Sequence, residues 1–594
     1  MTASLHPCLP LFAGAALTPF FGKKAGGAVS LLAALAGLLA VAGLPAEAFT
    51  AWGLDAAGLT LTFLRVDRLA VLFAWIFTIS AAAACLFAFG RQARAERAAT
   101  LAYAGAALGA VFAGDMVTLY VFWEVMALSA VFVILAGNTP KARGAAYRYA
   151  LVHLFGGVCL ISGMVLVAAK TGSTAFDATA LAEGGPGALL ILAGFLINAS
   201  AFPLSAWLAD SYPESTATGG VFLSAFTTKT AVYALIRGFP GQEGLIYAGC
   251  LMILYGLVYA MLENDLRRLL SYSITNQVGF MLVGVGLGTP QALNGAAALA
   301  FCHILYKSLL FMGAGSVIEA TGKRNLTELG GLFPAMPLTF FLTTIGAMSL
   351  SALPGTCGFV SKPMVLAATA DAHLPLVWVF LEAASAGTLV YAGLAIPYFV
   401  FFGPRRAAPK MAPPGREAPA AALVGMGIMA LLCLGIGVYP APLFALLPYQ
   451  SPAFAPFTPA RIAAVLELLA FAALFFVLYA PVLRRKGGIT LDTDWFYRKG
   501  GQALYRIADT ALNGLGAYLA TLAARTATAL DRFTRQGPSR LASLAVGLFS
   551  PLLGRDADRL RQEAALAATT WTAPVGITLA AALAGLCLIL ALVL

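Results

Sequence analysis

Apolar runs of about twenty residues, long enough to cross a bilayer as helices, recur along almost the whole chain. Their approximate centres fall near 12, 37, 78, 106, 126, 158, 197, 229, 252, 279, 304, 342, 388, 430, 471 and 584. A re-entrant or broken piece is expected near 354–370. Between 487 and 570 the pattern changes. An Ala/Leu-rich helical period is interrupted there by Arg506, Arg525, Arg532, Arg535 and Arg540, with no clean uncharged run. That pattern predicts an amphipathic helix along a membrane surface or against a partner, with a soluble helical hairpin as the competing reading. Residues 571–594 predict a final anchor. The fold class that follows is an all-α polytopic membrane protein.

Five regions follow from the same pattern. Residues 1–96 hold the N-terminal spans, and 97–402 the dense set of intramembrane polar residues. Residues 403–486 begin with the basic, Pro-rich loop GPRRAAPKMAPPGREA and add further spans, before the 487–570 segment and the 571–594 anchor. The blocks 97–239 and 243–402 each contain about five runs, and odd-numbered repeats place the second upside down relative to the first. Each has one run interrupted by proline beside polar residues, at Ala201-Phe202-Pro203-Leu204 and Leu353-Pro354-Gly355-Thr356. Internal sequence identity between the blocks is weak.

Composition agrees. Of 594 residues 60% are apolar and only 11% charged, against roughly 25% charged in soluble domains. The net charge of +11 is no nucleic-acid signal, because the basic residues sit in loops. Lys23/Lys24, Arg91/Arg94/Arg97, Lys141/Arg143/Arg148, Arg267/Arg268, Lys323/Arg324, Arg405/Arg406/Lys410/Arg416 and Arg484/Arg485/Lys486 fall on one side of the predicted spans. The positive-inside rule makes that side cytoplasmic and puts both termini outside. The eight cysteines lie in apolar runs without a CxxC spacing, so they read as small packing residues. No metal or iron–sulfur ligand set, dinucleotide fingerprint or phosphate loop is present, so no cofactor is expected. The N-terminus lacks a cleavage site and is expected to be retained as a first span.

Against this background the buried ionisable residues stand out. Glu124 lies in the middle of YVFWEVMALS, where a charge costs at least ~2.5–3.5 kcal/mol on insertion scales. It is expected either in a proton path or tied to a buried cation; burial disfavours the charged carboxylate, which suits reversible protonation. Lys229 lies well inside its span, with snorkelling to an interface as the alternative. His303 and Lys307, four residues apart, share one helix face and make a short relay. Lys362 follows the broken segment and is expected to gate or release. Asp67, Asp210, Glu214, Glu263 and Asp265 lie near span ends and read as structural or solvated charges, and Arg237 as an interfacial anchor. His153 is left without a role, although it could contribute.

Several stretches carry a resemblance: FWEVMALSA at 122–130, FPLSAWLADSYP at 202–213, TTKTAVYALIR at 227–237, DLRRLLSYSITNQVGF at 265–280, HILYKSLLFMGAGSVIEATGKRNLTELGGL at 303–332 and LPGTCGFVSK at 353–362. In order and spacing the chain resembles the antiporter-like membrane subunits shared by Mrp-type Na+/H+ antiporters (their D-type subunits), respiratory complex I (NADH:quinone oxidoreductase) and membrane-bound hydrogenases. The resemblance implies about fourteen core helices, two inverted five-helix repeats and two broken helices. It places Glu124 on the family's essential glutamate, Lys229 on its bridging lysine, His303 and Lys307 on the central relay, and Lys362 on the terminal lysine. It likens 487–594 to a lateral helix with a final anchor. Two positions depart from the pattern. Asn198 stands where the family usually has a lysine on the first broken helix, and Ser205 where it often has a histidine. Asn198 can hold water but cannot titrate near neutral pH.

These readings converge on a proton- or Na+/H+-translocating subunit of a multisubunit complex in a bacterial inner membrane. Protons would pass Glu124, waters near Asn198 and Ser205, then Lys229, His303, Lys307 and Lys362. The expected partners are other membrane subunits, lipids, protons with Na+ or K+, and redox subunits of iron–sulfur or hydrogenase type. This chain has no redox site of its own. Two alternatives stay open: a partly inactive scaffold in a hydrogenase- or dehydrogenase-like membrane arm, and an accessory subunit of an inorganic-carbon uptake complex.

Overall fold

The apolar runs become helices that start where the sequence supplies a cap. The computed structural model describes residues 5–56, 59–404, 416–451, 454–483, 492–553 and 557–570. It divides into two units, 1–494 and 495–594.

In the first unit, α1 (Leu9–Leu17) and α2 (Lys23–Ala42) precede a hairpin of β1 (Phe49–Ala56) and β2 (Leu59–Val66), antiparallel with Phe49 opposite Val66 and Ala56 opposite Leu59. The hairpin was not expected from the sequence. Its inward residues Leu64 and Val66 are buried, and Asp115 accepts from the Thr62 N–H at 2.7 Å. Then come α3 (Arg68–Phe87), α4 (Arg94–Phe112), α5 (Met116–Leu135), α6 (Pro140–Thr171), α7 (Ala178–Glu183), α8 (Pro186–Asn198), α9 (Ala206–Ser211), α10 (Ala217–Ala225) and α11 (Thr227–Gly238). A second series follows: α12 (Gly244–Leu262), α13 (Leu266–Leu287), α14 (Pro290–Thr321), α15 (Pro337–Leu350), α16 (Cys357–Asp371) and α17 (Pro375–Thr388). The last runs on to Phe402 through π-helical turns that flank α18 (Ala395–Pro397). Three more helices close the unit: α19 (Ala420–Val438), α20 (Ala441–Leu446) and α21 (Pro459–Tyr479).

Ten of the described helical stretches are long and apolar enough to cross a membrane, with shorter apolar helices beside them. The chain is a polytopic, all-α, multi-pass membrane protein. The first fifteen expected span centres fall in described helices; the sixteenth, near 584 in the 571–594 anchor, lies outside the described residues. So do Arg405, Arg406, Lys410, Arg484, Arg485 and Lys486 of the basic loops.

The spans built from α4–α11 and from α12–α17, five in each when an interrupted span counts once, repeat each other with a displacement of 150 residues. Asp115 caps α5 and Asp265 caps α13. Thr139-Pro140 opens α6 and Thr289-Pro290 opens α14, each 32 residues long. Both long helices close on Thr-Gly, with Gly172 and Gly322 left-handed at φ near +69° and +68°. The Thr171 and Thr321 hydroxyls donate to Val167 and Val317 carbonyls in the same way. A threonine N-cap contributes ~1 kcal/mol, so the same punctuation fixes both long helices in register.

Contacts group the basic loops. Arg91 pairs with Glu319, Arg97 donates to the Phe21 carbonyl, Arg267 donates to carbonyls of Tyr212, Pro213, Ser215 and Thr216, and Arg324 pairs with Glu214 and Asp265. Arg148 holds Asp210 through two hydrogen bonds and Arg268 pairs with Glu263. Arg237, read as an interfacial anchor, pairs with Asp67 at 2.8 Å. The acids at span ends thus all have basic partners. Inside, the apolar stretches of Ala217–Gly238 and Pro290–Thr321 are buried along their whole length, as expected of helices that face protein on every side.

The second unit contains α22 (Asp494–Leu553, 60 residues and ~90 Å long) from its second residue on, and α23 (Ala557–Thr570). The helix begins seven residues after the expected boundary at 487. Asp492, ahead of it, belongs to the first unit, where it is buried and accepts from the Tyr255 and Tyr272 hydroxyls at 2.6 Å each.

Candidate functional site

Each of the two interrupted helices turns at residues with positive φ. After α8 ends at Asn198, Ser200 takes φ +63°, and Phe202–Pro203 is a cis peptide. The break is closed by the Trp207 indole, which donates to the Ile197 carbonyl at 3.0 Å. After α15 ends at Leu350, Ala352 and Gly355 take φ +59° and +86°. Here the closing donor is charged: Lys362 Nζ donates to the Leu350 carbonyl at 3.1 Å and lies 5.1 Å from the Phe280 ring centre. A third interruption, between α10 and α11 at Phe226, was not expected from the sequence. It frees the Ser224 carbonyl, which accepts from Lys229 Nζ at 2.6 Å.

Lys229, His303 and Lys307 have no exposed surface and Lys362 has 1%. Snorkelling is thereby excluded for Lys229 within this chain. Lys307 donates to the Leu270 carbonyl and to the Ser273 hydroxyl. Each of the three lysines therefore rests on backbone carbonyl oxygen, and none forms an ion pair among the described residues. Both His303 nitrogens are buried without a hydrogen-bond partner among the described residues. Beside them α13 lines up the buried side chains of Ser273, Asn276 and Gln277; Gln277 donates to Asn276 at 2.7 Å. Polar groups that are buried and unpartnered cost free energy unless water reaches them.

From Lys362 a cavity of about 380 Å³ opens among α16, α17 and α21, lined by Lys362, Ser351, Asp371, Glu382, Ser385 and Arg461. Glu382 was not singled out in the sequence.

The first series is arranged differently. Glu124 on α5 is half-buried. A methyl group at Gly157 of α6 would come within 2.3 Å of its Oε1, so glycine is what admits the carboxyl between the helices. Oε1 is buried without a partner, and Glu124 forms no ion pair among the described residues. Asn198 bonds His153 Nδ1 at 2.8 Å and donates to the Gly194 carbonyl at 3.1 Å. Ser205 Oγ is buried beside the Tyr255 hydroxyl. A hydroxyl chain leads onward: Tyr149 lies 3.5 Å and Tyr103 2.6 Å from the Thr227 hydroxyl, two residues before Lys229.

Comparison with known proteins puts this geometry in context. Residues 113–387 match the family described as NADH:quinone oxidoreductase/Mrp antiporter, transmembrane. The probable A/B component of a K(+)/H(+) antiporter of Rhizobium meliloti is 31% identical over 403 residues, covering 61% of this chain and 39% of that protein. The D component of the Na(+)/H(+) antiporter of Alkalihalophilus pseudofirmus is 32% identical over 279 residues, covering 44% of this chain and 56% of that protein. The matched part thus spans from about two fifths to somewhat over half of these relatives. A chain of the membrane-bound sulfane sulfur reductase, an archaeal respiratory membrane complex, shares the fold with a TM-score of 0.73 at 24% identity, over 87% of this chain and 98% of that one. Residues 113–387, which hold Glu124, Lys229, His303, Lys307 and Lys362, are the part of the chain that is similar to this family.

Proposed function

We propose that the chain is an ion-translocating subunit of a multisubunit complex in a bacterial inner membrane, carrying protons alone or in exchange for Na+ or K+. The observation that carries this reading is the set of buried lysines held on backbone carbonyls, with no carboxylate ion-paired to them among the described residues. A lysine in a fixed ion pair stays charged, whereas one resting on a neutral carbonyl keeps the option of releasing its proton. Protons would move from Glu124, through waters near Asn198 and Ser205, to Lys229, His303, Lys307 and Lys362, leaving by the cavity that holds Glu382. The basic loops face the cytoplasm in this reading. The driving force comes from a redox partner or from a counter-moving cation. Relatives that are antiporter components by name support the second source, and the fold shared with a respiratory complex is compatible with the first.

The test uses membrane vesicles containing the assembled complex, with proton movement read by a pH-sensitive dye. Lys229→Ala is expected to abolish transport while the complex stays assembled; full transport by that variant would refute the relay. The departure at Asn198 favours a second reading, a scaffold with a decayed path. Unimpaired transport by Glu124→Ala would support it. Mass spectrometry of the gently purified complex separates the two driving forces. Iron–sulfur subunits mean a redox pump, and small membrane subunits alone mean a secondary antiporter.

A further inference from the structure

The 150-residue displacement that matches Asp115 with Asp265 and Thr139 with Thr289 also matches His153 with His303. Each is the fourteenth residue of its 32-residue helix. Like His303, His153 is buried, at 3% exposure, and its Nε2 has no hydrogen-bond partner among the described residues. Its Nδ1 is committed. The Asn198 amide NH2 donates to the Gly194 carbonyl, so Asn198 Oδ1 faces His153 as an acceptor. The imidazole must then carry its hydrogen on Nδ1, which leaves the Nε2 lone pair free to take a proton.

The surroundings favour a mobile proton at that nitrogen. Four residues along α6, about 6 Å, Gly157 abuts the unpartnered Glu124 carboxyl. On the other side the imidazole stacks on Tyr149, with ring centres 3.9 Å apart, and meets the Trp207 ring edge-on at 4.6 Å. Tyr149 leads to Thr227 and so to the start of the Lys229 helix. Among the described residues, Tyr149 on its own helix stacks on His153, with Tyr103 of α4 and Tyr212 beyond it, Glu124 of α5 meets the same helix one turn on at Gly157, and α8 contributes the neutral Asn198. A lysine at 198 would set a like charge against an imidazolium, whereas the asparagine oxygen accepts from it in both protonation states.

We propose that His153 is the proton carrier between Glu124 and Lys229, with Asn198 as the residue that holds its tautomer. This rests on the relay reading above. A proton leaves the Glu124 carboxylic acid through water and binds Nε2, giving the imidazolium. Nε2 then releases it through water to the neutral Lys229 amine, and Glu124 is reprotonated from the cytoplasmic side. Each step breaks one O–H or N–H bond and forms another, and no bond between heavy atoms changes.

The test again uses vesicles with the assembled complex, driven by whichever electron donor or Na+ or K+ pulse drives the wild type. His153→Gln is expected to slow transport at least tenfold without loss of assembly. His153→Ala combined with Asn198→Lys is expected to restore transport, because the pair returns a titratable amine to the break. Asn198→Asp keeps an acceptor beside Nδ1 and adds a negative charge. The pH of half-maximal rate should move up by about one unit in that variant. This readout serves even where His153→Gln does not assemble. Wild-type rate and pH profile in His153→Gln, or an unshifted profile in Asn198→Asp, overturn the role of His153. Lys229→Ala in the same vesicles separates the failures. If it is inactive while His153→Gln is normal, only this inference falls; if both are normal, the relay itself falls.

Discussion

The helix pairs α5–α6 and α13–α14 occupy the same place in the two series and solve one problem with opposite charges. Four residues after the shared histidine, α6 has Gly157 and α14 has Lys307. Nine residues after the shared aspartate cap, α5 has Glu124 and α13 has Ile274. In the second series the long helix carries the ionisable group, which reaches across to Leu270 and Ser273 of α13. In the first series the neighbouring helix carries it, into the space that glycine leaves. The slot between the helices is kept; which helix fills it, and with which sign, is exchanged.

The strongest way to break this comparison is to fill the slot. Gly157→Leu should expel the Glu124 carboxyl, reduce vesicle transport at least a hundredfold and lower stability in detergent by about 1–3 kcal/mol through overpacking. Gly157→Lys sharpens it by giving the first series the side chain of the second. The amine meets Glu124 in the same slot, so transport should fall at least tenfold while thermal stability drops less than in Gly157→Leu. The two broken helices differ in the same spirit, one closed by a charged donor and the other by a neutral one. Lys362→Met should cost about 1.5–3 kcal/mol and Trp207→Phe about 1 kcal/mol in thermal unfolding, following the strengths of charged and neutral hydrogen bonds. The smallest effect belongs to the shared punctuation. Thr139→Ala and Thr289→Ala should each cost about 1 kcal/mol and leave the pH profile of transport unchanged; unequal costs would mean that the two caps are not equivalent.

The spans were legible because lipid tolerates few polar side chains, so apolar length alone places a helix such as Met116–Leu135. The breaks at Pro203 and Pro354 and the buried Glu124, Lys229, His303, Lys307 and Lys362 were legible for the same reason, since each violates the apolar pattern. The repeat was harder to read. Its signature sits in caps such as Asp115 and Asp265, while the residues between them differ because α5 has an exposed face and α13 is almost wholly enclosed. The interruption at Phe226 has neither glycine nor proline to announce it. The β-hairpin is too short to interrupt the helical pattern around it. His153 carried no signal either: a single histidine on an apolar helix is ambiguous, and its partner Asn198 lies 45 residues away. Only the three-dimensional pairing shows that the asparagine in the lysine position has a histidine against it.

The lysine row has a consequence for counting. His303 lies within electrostatic reach of Lys229, Lys307 and Lys362, and no carboxylate pairs with any of the three amines among the described residues. Like charges repel strongly in a poorly polarisable interior, so on the proposed reading the row would behave as a capacitor of very small capacity. Each charge loaded at one end would raise the voltage felt by the next, and discharge at the far end would follow loading without a moving gate. On the proposed reading, the tally of protons per cycle is set by electrostatics along a fixed wire.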